Sequence, residues 1–122
     1  MLEISDEHFQ TLIDKALTEL PGEHVKNIKN VAILYEIDPT LQQREVSHLR
    51  NDQTLLGLYE GVPLTERQGM SRVLPDKITL FKNPLLHMVQ TEQQLLQEIK
   101  HTLWHEIGHY YGLNHTQIRA LE

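Results

Sequence analysis

Residues 105–115 read His-Glu-Ile-Gly-His-Tyr-Tyr-Gly-Leu-Asn-His and decide how the rest of the chain is interpreted. The segment has the form H-E-x-x-H, extended to H-E-x-x-H-x-x-G-x-x-H. Residues four positions apart on a helix project from one face, so His105 and His109 can hold one metal ion between their rings. Glu106 lies about 100° further round the helix, which places it beside such a metal rather than on it.

The end of the same segment supplies a third candidate ligand, His115. Gly112 permits a positive φ and a sharp helix exit, so the chain can turn back and bring His115 to the same ion. Three neutral imidazoles suit Zn²⁺ and leave a fourth position open for water, which is the arrangement of a catalytic zinc site. The pattern therefore predicts one Zn²⁺ per chain, bound by His105, His109 and His115.

Glu106 is the predicted general base of this site. Zinc lowers the pKa of a bound water to about 7. Glu106 would accept a proton from that water as it attacks a carbonyl, and would then deliver the proton to the leaving amine. Tyr110 and Tyr111 follow a ligand directly, and a tyrosine hydroxyl can stabilise an oxyanion. Packing in the core is nevertheless the favoured interpretation of both rings.

Composition excludes several other classes of protein. The 122 residues suit one domain, predicted to span 1–122, and the absence of Cys leaves only His, Asp and Glu as metal ligands. A net charge of −6 does not provide the basic surface of a nucleic-acid binder. The sequence shows neither an apolar run of the roughly 18 residues that a membrane span needs nor a secretory signal. We therefore expect a cytoplasmic protein with no nucleic-acid or membrane partner.

Hydrophobic periodicity predicts an α/β fold of the α+β type. A short mixed sheet of three to four strands would pack against an N-terminal helix and a C-terminal active-site helix. The apolar run at 31–37 is typical of a central strand. The predicted elements, in chain order, are a helix over 5–19 capped by Ser5, a helical turn over 23–30, a strand over 31–37, a loop over 40–53 with room for one helical turn, strands over 55–59 and 77–81, a short helix over 84–89, and a long helix over 91–111 opened by a capping box of Thr91 and Gln94.

With these features the chain resembles the minimal zincin-like metallopeptidase domains of bacteria. Beyond the histidine motif, the likeness is carried by Leu56–Arg67, which reads Leu-Gly-Leu-Tyr-Glu-Gly-Val-Pro-Leu-Thr-Glu-Arg, and by the apolar stretch Ile78–Phe81. The resemblance implies a zincin-like α/β fold. It also implies the usual roles for His105, Glu106 and His109.

The third ligand position departs from the pattern of that family. The family carries an acidic residue, often Asp, where this sequence has His115. Histidine at this position instead matches the third ligand of the metzincins. None of the seven residues after His115 is Met, so the sequence does not predict the downstream Met-turn of a metzincin.

The favoured function is a zinc-dependent peptidase acting on a peptide or protein. In zincins an edge strand commonly pairs with an extended substrate, and Lys77–Phe81 is the strand predicted to do so here. One alternative is a binding module that keeps the metal but does not catalyse. Another is a metal-dependent RNA hydrolase, because one bacterial RNA-processing family shares the spacing H-x-x-x-H-x-x-G-x-x-H. Glu106 and the net charge of −6 argue against RNA as the substrate.

Overall fold

The computed structural model describes residues 2–26, 28, 30–47, 54–61 and 76–120, except the side chains of His115 and Arg119. The elements in these ranges confirm the predicted α+β class. In chain order they are α1 (Asp6–Glu19), α2 (Gly22–Lys26), β1 (Val31–Glu36), α3 (Leu41–Val46), β2 (Gly57–Glu60), β3 (Asp76–Phe81), α4 (Lys82–His87), α5 (Glu92–Tyr110) and α6 (His115–Ala120).

The three described strands form one mixed sheet in the order β1-β3-β2. Strand β3 runs parallel to β1 and antiparallel to β2, with Ile78 opposite both Ile33 and Tyr59. The prediction that Lys77–Phe81 is an edge strand is therefore wrong. Both sides of β3 already pair with a neighbour, so its backbone has no side left for a substrate.

The expected central position of 31–37 is also wrong within the described part of the sheet. Strand β1 lies at one end, and Leu34 is 45% exposed. Strand β3 is instead the buried one, with Ile78, Thr79 and Leu80 each 0% exposed. An apolar run does not by itself place a strand at the centre of a sheet, because the order of strands depends on which connection crosses over, and here β3 inserts between two earlier strands.

The helix ends follow local capping chemistry. Ser5 accepts a hydrogen bond from the N–H of His8, and Thr91 accepts one from the N–H of Gln94. The reciprocal half of the predicted box at α5 is not made at Thr91, because the Gln94 side chain accepts from the N–H of Gln90 at 2.8 Å.

Two short helices differ from their predictions. Helix α4 begins at Lys82, two residues before the predicted start at Pro84. Pro84 is tolerated in its first turn because the first N–H groups of a helix have no partner within it. Helix α3 lies in the predicted loop 40–53, is longer than the single helical turn expected there, and begins with a reciprocal capping box between Thr40 and Gln43.

The core joins both long helices to one another and to the sheet. Helix α5 packs against α1, α4, β2 and β3. Its rigid attachment to β2 and β3 is what positions the candidate site. None of the described helices combines the length and apolar character required to cross a bilayer. The buried core side chains are Phe9, Leu12, Ile13 and Ala16 of α1, Ile78 and Leu80 of β3, Leu85, Leu86 and Val89 around α4, and Leu95, Ile99, Leu103 and Ile107 of α5.

Candidate metal centre

His105 and His109 lie one turn apart on α5 with their Nε2 atoms 3.2 Å apart. Two nitrogens bound to one Zn²⁺ at about 2.0–2.1 Å in tetrahedral geometry would lie about 3.3 Å apart. The observed spacing therefore fits a shared zinc ion. The rings are close to perpendicular, at 82°, so that they converge without stacking.

The tautomer of His109 also suits a metal ligand. Its Nδ1 lies 3.2 Å from the carbonyl oxygen of Leu113. Because a carbonyl can only accept, the proton of the neutral ring resides on Nδ1, and Nε2 keeps its lone pair. Metal-binding histidines in proteins are commonly oriented through their second nitrogen in this way.

Glu106 joins these two histidines in one cluster whose potential ligand atoms all lie within 4.8 Å of one another. Its side chain points between α5 and β2, where it is only 8% exposed, and its Oε1 accepts a hydrogen bond from the main-chain N–H of Tyr59 at 3.0 Å. Burial raises the pKa of Glu106 from 4.5 to about 7, and the hydrogen bond from Tyr59 opposes that rise. A carboxylate with such a pKa can both accept and release a proton near neutrality.

The end of α5 turns at Gly112, as the sequence predicts. Gly112 has a φ of 85°, its N–H donates to the carbonyl of His109, and the N–H of Leu113 donates to the carbonyl of Gly108. This pair of bonds is a Schellman motif, which needs a left-handed residue at its centre. The same turn places the Leu113 carbonyl where His109 can use it.

After this turn the chain starts a second helix, which the sequence analysis did not predict. Asn114 caps α6, accepting from the N–H of Gln117 while the Gln117 side chain accepts from the N–H of Asn114, both at 2.8 Å. The pair Asn114 and Gln117, three positions apart, is the signal that could have revealed this helix. His115 is the first residue of α6, and its side chain lies outside the described part of the chain.

The two neighbouring tyrosines pack as the sequence analysis favoured. Tyr110 is 1% exposed, and its ring lies edge-on to that of Tyr59. Tyr111 is half-buried, and its hydroxyl donates to the carbonyl of His24 at 2.5 Å. The Tyr111 hydroxyl is therefore held on α2 and not at the histidine pair.

The residue that sequence reasoning missed is Tyr59. It contributes a backbone N–H, and any residue except Pro carries that group, so no side-chain pattern in the sequence marks it. Only the packing of β2 across α5 brings the Tyr59 N–H to Glu106.

An apolar cavity of about 280 Å³ opens on a different face of α5. Trp104, Ile107 and Gly108 line it, together with Ile118 of α6. Neither His105 nor His109 is among the residues that line it. The cavity thus lies beside the turn that follows α5, and the imidazole rings of the pair do not contribute to its lining.

Comparison with known proteins assigns the chain to a class. The family of zincin-like metallopeptidases matches residues 28–122, which include β1 and every later element. The chain belongs to this family. Its fold is similar to that of a conserved hypothetical protein from Thermo thermophilus, with 18% sequence identity, a TM-score of 0.56, and coverage of 97% of this chain and 100% of the other. No curated protein matches the chain.

Proposed function

We propose that this protein is a zinc-dependent peptidase in which His105, His109 and His115 hold one Zn²⁺ and Glu106 is the general base. The observation that carries the proposal is the convergence of two Nε2 atoms, 3.2 Å apart, beside a buried carboxylate. The membership of the zincin-like metallopeptidase family supports both the metal and the reaction class.

Each residue of the proposed site has a separate role in the reaction. Bound zinc would supply Lewis acidity, polarising a carbonyl and making water acidic enough to lose a proton near pH 7. Glu106 accepts that proton and passes it to the leaving amine. His109 stays correctly oriented through its bond to the Leu113 carbonyl.

Strand β2 replaces β3 as the proposed docking strand for the substrate. The Phe81 N–H donates to the Leu56 carbonyl, so alternate residues of β2, Leu58 and Glu60, direct their backbone groups toward β3. Gly57 and Tyr59 direct theirs away from it. The outward N–H of Tyr59 already donates to Glu106, so a peptide extended along this edge would pair through the other outward backbone groups of Gly57 and Tyr59 and would pass beside the base and the histidines.

Metal analysis tests the ligand set. The purified protein should contain about one Zn²⁺ per chain, and His105→Ala or His109→Ala should abolish tight binding. His115→Ala should weaken binding less, because a water or a nearby carboxylate can substitute. His87→Ala is the control, since His87 is an exposed histidine of α4, on a different helix from the pair. Absence of zinc in the purified protein, with no uptake on titration, would reject the site.

Glu106→Gln tests the mechanism. The amide keeps the size of the side chain and an oxygen for the Tyr59 N–H, but it cannot accept a proton. We expect near-normal zinc content and a loss of about 10²–10⁴-fold in the rate of peptide cleavage. Glu98→Gln, at a half-buried position two turns earlier on α5, should retain full activity.

The other outcomes of this experiment identify the rival functions. Loss of zinc from the Glu106→Gln variant would make Glu106 a ligand rather than a base. Full cleavage activity with normal zinc would exclude the proposed mechanism and lead to an RNA-cleavage assay. A wild-type protein that binds zinc and a partner, but cleaves no peptide in a library digest, would be a non-catalytic binding module.

A further inference from the structure

Strand β2 packs closely on the face of α5 that carries Thr102 and Glu106. A Cβ at Gly57 would lie only 2.6 Å from Cγ2 of Thr102, so the strand backbone rests directly on that side chain. Two residues further along β2, the Tyr59 N–H donates to Glu106. Thr102 and Glu106 are four positions apart and share one face of α5. The position of β2 over this face therefore determines where the Tyr59 N–H meets the Glu106 carboxylate.

The hydroxyl of Tyr59 bonds within the sheet rather than to α5. Its hydroxyl donates to Oδ2 of Asp76 at 2.6 Å, a distance typical of a strong hydrogen bond to a carboxylate. Tyr59 stands opposite Ile78, so Asp76 is its diagonal neighbour on the same face of the sheet. Asp76 belongs to the central strand and is 1% exposed. The anchor thus lies on the most buried strand of the described sheet.

The surroundings of Asp76 leave little room for rearrangement. Its carboxyl group lies against Gly61, where an added Cβ would come within 2.3 Å of the Asp76 Cγ atom. The Tyr59 ring is packed as well, with the Tyr110 ring edge-on to it at 6.3 Å between centroids. Burying a carboxylate destabilises a protein unless the group is well hydrogen-bonded, so the bond from the Tyr59 hydroxyl offsets part of the free-energy cost of burying Asp76.

We propose that Asp76 and Tyr59 are positioning residues for Glu106. The Asp76 carboxylate holds the Tyr59 hydroxyl, which fixes β2 against the central strand. The Tyr59 main-chain N–H then holds the Glu106 carboxylate beside the histidine pair. This inference rests on the proposed role of Glu106 as general base, because it explains how that base is oriented.

A matched pair of hydroxyl deletions separates positioning from general packing. Tyr59→Phe removes the hydroxyl that bonds Asp76 and keeps the ring. Tyr35→Phe is the control, since it removes a hydroxyl from a partly buried tyrosine of the same sheet, one that packs edge-on to Phe9. Asp76→Asn keeps an acceptor oxygen and should rescue most of the effect of Asp76→Ala. If Asp76→Ala does not fold, Asp76→Asn and Tyr59→Phe are compared with the Tyr35→Phe control instead.

The first measurement needs no enzymatic activity. Glu106→Gln changes the acceptor of the position-59 amide, so the NMR proton shift of that amide should move when the substitution is made in the wild-type background. In the Tyr59→Phe background we expect the same substitution to move it by less than half as much. In the Tyr35→Phe background the full change should persist.

The second measurement is kinetic and uses the zinc-loaded enzyme. Displacement of a catalytic group by about 1 Å can cost about 10²-fold in rate. We expect Tyr59→Phe to lower kcat by roughly 10–100-fold while zinc content stays normal and KM changes by less than about threefold. Tyr35→Phe should leave kcat unchanged. Asp76→Ala combined with Tyr59→Phe should be no slower than either alone, because the two residues act through one contact.

The outcomes keep this inference distinct from the proposed peptidase function. Absence of peptide cleavage in the wild type would refute the peptidase, while the amide shifts would still decide whether Asp76 and Tyr59 hold Glu106. An amide response to Glu106→Gln that is fully retained in Tyr59→Phe would overturn the positioning role. A kcat as high in Tyr59→Phe as in Tyr35→Phe, in an active enzyme, would also overturn it.

Discussion

At the scale of single residues, Glu106 is the position where burial and chemistry conflict. A carboxylate beside two histidines is useful as a base, but the same position is only 8% exposed. Burial disfavours the charged form, which is why the pKa of Glu106 rises to about 7 although a backbone N–H donates to it. The charged form of this side chain therefore costs stability in the metal-free protein.

This cost predicts a pH-dependent effect of Glu106→Gln on the free energy of unfolding in the presence of a chelator. The folded state has the higher pKa, about 7 against 4.5. The contribution of Glu106 to the stability of the wild type should therefore fall by about 3 kcal/mol as pH rises from about 4.5 through 7. The neutral Gln does not incur this loss. The variant should accordingly be more stable than wild type at pH 8, with the advantage absent near pH 4.

Urea unfolding at several pH values measures this difference. Glu3→Gln is a suitable control, because Glu3 is exposed near the N-terminus. An advantage of Glu106→Gln that is equal at pH 4 and pH 8 would contradict the assigned cause. A pH-dependent gain in stability of the same size in the Glu3→Gln variant would contradict it as well.

At the scale of elements, the junction between α5 and α6 brings the C-terminal residues back toward the histidine helix. The Schellman motif at Gly112 ends α5, and the Asn114 cap immediately starts α6. Ile118 then packs so closely on α5 that a Cβ at Gly108 would lie 2.6 Å from its Cγ1. Helix α6 begins at His115, so this junction determines where the backbone of the third proposed ligand lies.

The junction predicts unequal effects for two Gly→Ala substitutions. Gly112 has a φ of 85°, where a Cβ is strained, so Gly112→Ala should destabilise the protein by about 1–2 kcal/mol. Gly22 is the first residue of α2 and has no atom within 4 Å of an added Cβ. Gly22→Ala should therefore be neutral or slightly stabilising. Chemical denaturation of both variants checks the difference, and equal stabilities would show that the positive φ at Gly112 carries no cost.

At the scale of the whole molecule, the proposed zinc site should couple to global stability. The ligand helix α5 packs against α1, α4, β2 and β3, so a ligand that binds only the folded chain stabilises the entire core. A zinc concentration of a thousand times Kd should add about 4 kcal/mol to the free energy of unfolding. For a chain of this size we expect Tm to rise by about 10 °C or more.

Thermal unfolding with zinc or with a chelator tests this coupling. The zinc-dependent rise in Tm should vanish in His105→Ala and persist in His87→Ala. With no cysteine in the chain and an apolar core spread over two long helices and the sheet, we expect the chelated protein to remain folded. A zinc effect of the same size in His105→Ala would place the stabilising ion elsewhere.

The sequence by itself determined the elements and the local chemistry of α5. Periodicity and capping residues predicted α1, α5 and all three described strands, because these signals arise from neighbours within a few residues. Helical geometry likewise predicted that His105 and His109 share a face, and Gly112 predicted the turn. Helix α6 was missed although Asn114 and Gln117 carry its cap, since short helices lack a periodic stripe.

Only the tertiary structure decided how the strands are ordered and what surrounds Glu106. The placement of β3 between β1 and β2 depends on pairing between residues far apart in the chain, which local patterns do not encode. That order makes β2 an end strand of the described sheet and brings the Tyr59 N–H to Glu106. It also buries Asp76 beneath the Tyr59 hydroxyl. Backbone donors and diagonal neighbours have no sequence signature, because they acquire their partners only when the sheet packs on the helix.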